Sequence, residues 1–390
     1  MKQTKKGIAI AISMLVLASC QKDTKPLSGN DATIEAASKP NNNKPNEDEG
    51  SGKGHVYTLS NQISGNKVID YRRAANGSLT LAGSFSTGGT GTGGGLGNQG
   101  AIILGQDGGI LLAVNPGSNS ISSLKITGGG LNLKSTVHSG GIRPVSITQH
   151  GNIVFVLNAG GDGNISGFTL GNNDKLQAIP HSTRPLSAVN AGAAQISFIN
   201  NGKVLVITEK ATNKITTYTV NEWGIPGAMH THTSAKPTPF GFAVGRHGNI
   251  FVSEAVGGAP GASVLTSYNI SNNGAITLAD GPVGAGQSAA CWVVITRNEK
   301  YAFTTNTASD NLSTFNVNTS TGSISVLHAI AATTAIGPID AALNNNSKFL
   351  YVLNSGSNSI GVYAVADNGS LSSVQTLPGV PAGATGLAAK

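Results

Sequence analysis

From His55 to the C-terminus the chain repeats one pattern seven times. An apolar strand ends in a small polar residue, a Gly/Asn/Ser turn follows, and two more alternating strands complete the unit. The clearest copy runs from Phe349 to Val365, FLYVLNSGSNSIGVYAV. A repeat of this length is one supersecondary unit that cannot bury its apolar face alone, so the array as a whole must form the core.

Aligned on the polar residue closing the second strand, the units mark Asn115, Asn158, Glu209, Glu254, Asn306 and Asn354, at gaps of 43, 51, 45, 52 and 48 residues. Such gaps hold four short strands each and predict an all-β, seven-bladed β-propeller of four-stranded antiparallel blades. First strands are expected to begin near Ala101, Pro144, Ala194, Phe242, Trp292 and Ile339. The seventh unit is split. Residues 55–88 supply three strands (Val56–Ser60, Lys67–Arg73, Leu79–Phe85), and Gly383–Lys390 supplies a lone fourth. Pairing of that tail into the first blade closes the ring and leaves no unpaired edge. A two-sheet sandwich does not require seven near-equivalent units.

Composition agrees with short strands and tight turns: 53 glycines and only 11% charged residues among 390. The formal charge of +7 falls when Lys2, Lys5 and Lys6 are set aside, leaving 22 basic and 18 acidic residues. No basic stripe interleaved with aromatics is present, so no nucleic-acid partner is expected.

The first twenty residues read as an export signal, with a basic start, an apolar run from Gly7 to Ala18 and the sequence LASC ending at Cys20. Ser19-Cys20 resembles the bacterial lipobox, which implies lipidation of Cys20 and a membrane anchor in the cell envelope, outer membrane facing either periplasm or cell surface. Residues 21–53, rich in Asn, Lys, Pro, Ser and Glu, are expected to be a disordered tether to the propeller at 55–390. That leaves Cys291 unpaired, a small buried hydrophobe, and places the burden of stability on the core.

The motifs LYVLN (350–354) and VFVLN (154–158) resemble YVTN-type repeats, and the order of blades over 55–390 resembles the lactonase-like seven-bladed propellers, which include propeller-type 6-phosphogluconolactonases and carboxymuconate lactonizing enzymes. The resemblance implies a site on one face, formed by a histidine and an arginine entering innermost strands and by a glutamate and an arginine closing second strands. Aligned by repeat, the histidine position falls near Gly192, the first arginine on Phe240, the glutamate on Glu254 and the second arginine on Thr307. Three of the four groups are replaced.

Within a propeller those positions open onto one mouth of the central channel. Glu209, Glu254 and Lys210 are therefore expected together there, a base for water with a cation for the developing oxyanion of a lactone. Asn115, Asn158, Asn306 and Asn354 would ring them, with Arg143, Arg184 and Phe240 contacting a small, carbohydrate-like ligand. Asparagine also closes turns by bonding its own backbone, whereas glutamate does so poorly. The pair His230 and His232 lacks a neighbouring carboxylate, so neither metal nor cofactor is expected, and the chain should act as a monomer. The run Gly88–Gly97 lacks the Lys-Ser/Thr and helix of a phosphate loop and is expected to be a flexible connection near the mouth. Two functions follow: a lactone-type hydrolase, or a non-catalytic binding propeller using the same rim.

Overall fold

The computed structural model describes residues 54–390; the signal, Cys20 and the tether lie outside them. Seven antiparallel sheets stand around a central axis, six of them running innermost to outermost in chain order. Blade 1 holds Gly54–Leu59, Lys67–Arg73 and Leu79–Ser86, and its innermost strand is the C-terminal Thr385–Ala389. Tyr57 pairs with Ala388 and Leu59 with Thr385, the expected ring closure. Blades 2 to 7 begin at Ile102, Ile142, Ala193, Pro239, Ala290 and Pro338, within three residues of the repeat-derived positions.

The second strand of each blade is packed between two neighbouring blades, which explains its unbroken apolar run. Ile110–Asn115, Val204–Glu209 and Asn249–Glu254 are buried at every position. Outermost strands are largely exposed, as in Leu79–Ser86. The core is a ring of inter-blade layers rather than one centre, with Tyr57, Phe155, Tyr218, Phe251, Trp292 and Tyr351 among its largest buried side chains. Each buried Leu, Ile, Val or Phe contributes about 1.5–3 kcal/mol.

Two departures from the expected regularity matter. Blade 3 has its outermost strand broken into Leu176–Ala178 and Arg184–Pro185, both paired with Asn164–Leu170. Cys291 is fully buried and disulfide-bonded, which corrects the expectation of an unpaired thiol.

Candidate functional site at the channel mouth

Each innermost strand starts, and each second strand ends, on the same face, so the residues aligned by the repeat do gather around one opening. Their side chains, however, turn into the blades. Glu209 is wholly buried. Its Oε1 accepts the Ser187 N–H at 3.1 Å and the Thr216 hydroxyl at 2.8 Å, while Oε2 accepts the hydroxyls of Thr212 (2.8 Å) and Ser187. Glu254 is equally buried, accepting the Tyr268 hydroxyl at 2.6 Å, the Thr266 hydroxyl at 2.8 Å, the Ser234 hydroxyl and the Lys236 N–H. Burial raises the Glu254 pKa, and these donors oppose the rise.

The four asparagines occupy the same structural position. Asn115 donates to Ser122 at 2.8 Å and accepts from Asn66 (3.0 Å) and Thr87 (2.6 Å), lacing blade 2 to blade 1. Asn306 donates to Asn311 (2.7 Å) and Ser313 (2.8 Å). Asn158 donates to Ser139 O and Asn164, and Asn354 to Ser359. All four are at most 1% exposed. The closing residue is thus a clamp fastening the second strand to the third and to the incoming loop. These six side chains are thus buried in the blades rather than exposed at an open mouth: both carboxylates and the amides of Asn115 and Asn306 are engaged internally, while the Oδ1 atoms of Asn158 and Asn354 are buried without a partner.

Lys210 and Phe240 do meet. The ammonium lies 4.5 Å from the Phe240 ring centroid and donates to Gly97 O, and Phe240 packs on Trp292 with centroids 4.9 Å apart. Burial pushes the Lys210 amine down to about 8, with repulsion from Arg143 adding to it. Arg143 is exposed at the second position of its strand, its N–H held by Asn119 at 2.8 Å and its φ at +55°. Arg184 stands elsewhere. It belongs to the broken outermost strand of blade 3 and spends its guanidinium on the carbonyls of His181, Thr183 and Pro226 at 2.6–3.0 Å. It therefore ties blade 3 to blade 4, a correction to its expected place beside the channel. His230 and His232 lie in the outermost strand of blade 4, and no cluster of three metal-ligating side chains exists among the described residues.

What fills the mouth is the chain itself. A ring of seven innermost strands leaves their inward N–H and C=O groups without sheet partners, and buried groups of that kind must be satisfied. The segment Leu96–Gly100, the end of the glycine-rich connection, supplies them. Gln99 N–H bonds Ala194 O at 3.1 Å, and its side chain donates to Val293 O (2.9 Å) and accepts from Val293 N–H (3.2 Å). Gly100 O accepts Ile147 N–H at 2.9 Å, Asn98 donates its amide to Val145 O, and Trp292 donates to Asn98 O at 2.7 Å. Blades 3, 4 and 6 are thereby cross-linked through one short peptide. The flexible connection expected here is instead a plug, with Leu96 and Asn98 buried. The available signal was two amides, Asn98 and Gln99, set between glycines that let the backbone approach closely.

The four family-aligned positions have structural occupants. At Gly192 φ is +71° and a Cβ would stand 2.7 Å from Ala211 N, so no side chain fits. Phe240 and Glu254 are described above, and Thr307 bonds Pro338 O of the next blade at 2.7 Å.

Fold and repeat together define a seven-bladed β-propeller of lactonase-like form. Residues 261–389 match the family model described as Lactonase, 7-bladed beta-propeller. Similar solved structures include a proposed 6-phosphogluconolactonase from Bacteroides fragilis (16% identity, 89% of this chain and 100% of that one, TM-score 0.65). They also include the periplasmic gluconolactonase PpgL of Pseudomonas aeruginosa (16%, 85% and 98%, 0.63) and a functionally unknown protein from Desulfotomaculum acetoxidans (13%, 86% and 98%, 0.65). At these identities the likeness is one of fold. No curated protein matches the chain by sequence.

Proposed function

We propose that this chain is a non-catalytic ligand-binding propeller of the lactonase-like class, exported to the cell envelope and anchored there through lipid on Cys20. One observation supports the reading: Leu96–Gly100 is bonded across the innermost strands of blades 3, 4 and 6, while both candidate bases are consumed by internal hydrogen bonds. Acyl-transfer chemistry needs a base within hydrogen-bond reach of a bound water, together with donors aimed at the developing oxyanion. Neither Glu209 nor Glu254 offers such an approach. The purified domain should leave a panel of sugar and aromatic lactones at their buffer rates, and a rate enhancement would overturn the proposal.

Cys20 and Cys291 are the two cysteines of the chain, and a sulfur bound to lipid as a thioether cannot also close a disulfide. Lipidation and the disulfide of Cys291 are therefore alternative fates of the Cys20 sulfur, the first belonging to the processed, anchored chain. Mass spectrometry of the mature protein tests the anchor; an unmodified Cys20, a Cys20–Cys291 disulfide, or retention of Met1 would refute it.

A hydrolase remains the second reading, supported by the family match over residues 261–389, by the gluconolactonase named among the similar folds and by the lowered amine of Lys210. It requires the plug to withdraw so that Lys210 can face a developing oxyanion. Under it, Lys210→Met would remove turnover with folding intact.

A further inference from the structure

We infer that the face opposite the plugged mouth carries a binding site for a small anionic sugar, a monosaccharide-sized carboxylate, in a cleft over blades 5 to 7. The cleft encloses about 340 Å³, at the lower end of small-ligand sites. It forms where the turns joining first and second strands of three successive blades run side by side, bringing Arg246, Arg297 and Lys348 to one opening.

The walls are fixed by contacts that do not involve a ligand. Glu299 accepts the Arg246 N–H at 3.0 Å and the Thr319 hydroxyl at 2.7 Å, Arg246 donates to Arg297 O at 2.7 Å, and Arg297 N–H bonds Ser347 Oγ at 2.9 Å. The three cations are not equally committed. Arg246 faces the Glu299 carboxylate at 3.4 Å, with the carboxylate largely buried and the arginine side chain 65% exposed. Lys348 contacts Asp367 at 2.7 Å, but with side chains 54% and 93% exposed this pair is screened and readily exchanged. Arg297 is exposed, and among the described residues no carboxylate lies within ion-pair distance of it.

Neutral donors point the same way. Asn298 Oδ1 is held by the Lys300 N–H (3.1 Å) and the Thr296 hydroxyl (2.7 Å), and Asn346 Oδ1 by the Lys348 N–H (3.1 Å) and Asn344 (2.8 Å). Each amide is oriented by its turn so that its NH2 group is left to donate. A cleft offering a guanidinium, an ammonium and two amide NH2 groups over a floor of Tyr301, Val365 and Ala366 suits a ligand rich in acceptor oxygens, with one carboxylate and an apolar ring face.

This site stands whether or not the channel mouth is catalytic, and lactone turnover is measured separately. Calorimetric titrations at low ionic strength would compare glucuronate, glucose and inorganic phosphate. Glucuronate should bind, glucose roughly tenfold more weakly or worse, and Arg297→Gln should weaken glucuronate by about tenfold, the worth of one charge-assisted contact. Lys348→Gln should weaken it less, and Arg143→Gln, on the opposite face, should change nothing. Arg297 is exposed, so its substitution should leave the melting temperature unmoved and the comparison valid. Absence of glucuronate binding, equal binding of glucose, or loss on Arg143→Gln with none on Arg297→Gln would overturn the site. Phosphate binding as tight as glucuronate would overturn the sugar and leave a simple anion site.

Discussion

Gln99→Ala tests whether Leu96–Gly100 is a structural plug or a strand draped over an open channel. The substitution removes two hydrogen bonds, to Val293 O at 2.9 Å and from Val293 N–H at 3.2 Å, between a half-buried side chain and a buried strand residue. Each is worth about 0.5–1.5 kcal/mol net, so the local loss is about 1–3 kcal/mol, approaching the lower end if water enters to replace the amide. The rest of the segment stays tied through Ala194 O, Ile147 N–H and Trp292, so the effect should be confined near blade 6. Native-state hydrogen exchange should show the Val293 amide exchanging roughly 5- to 150-fold faster, the rate equivalent of that energy. Melting should fall by about 2 °C per kcal/mol for a domain of this size. Unchanged Val293 exchange with an unchanged melting temperature would refute the plug, because a buried N–H cannot lose its acceptor without consequence.

Three further outcomes follow from the same geometry. Glu254→Gln places an NH2 group against the hydroxyls of Tyr268, Thr266 and Ser234, so chemical denaturation should show a loss of about 1–3 kcal/mol, and an unchanged midpoint would contradict the clamp. Asp340, buried in the innermost strand of blade 7, has its carboxyl pKa pushed well up by burial, with its Oδ2 unpartnered and only the N–H groups of Ala341 and Leu387 opposing. The folded state thus holds a proton that the unfolded chain releases near its ordinary value, so this group's contribution to stability is fully present below about pH 4 and is lost as pH rises towards its elevated folded-state pKa. Asp340→Asn should remove that decline, its advantage over the parent growing as pH rises above about 4 in denaturation curves; a constant difference would count against it. Deleting residues 383–390 removes the innermost strand of blade 1 and exposes Val56, Tyr57 and Leu59, so the protein should lose cooperative unfolding; a folded truncation would disprove ring closure as the fastener.

The blade count, strand positions and split first blade were legible because they depend on local alternation and on turn residues that recur with the repeat. Runs such as Leu350–Leu353 announce a strand covered on both sides, whatever lies beyond it. Glu209 and Glu254 were visible as departures from asparagine, and the repeat put them at the right end of the right strands. Their role was not visible. Whether a carboxylate there faces water or a ring of hydroxyls depends on Ser187, Thr216, Ser234 and Tyr268, which reach it from loops and strands 7 to 22 residues away. The plug was less legible still, since Gln99 meets Val293 across 194 residues and no local rule links them.

The sequence by itself therefore determined a closed array of seven four-stranded units and the face on which their equivalent positions gather, because pattern and period are properties of neighbouring residues. Only the tertiary structure decided that this face is sealed, that its carboxylates are clamps, and that three cations from separate blades share a cleft on the other side. Burial and the pairing of inward backbone groups depend on what the rest of the chain brings to the same place.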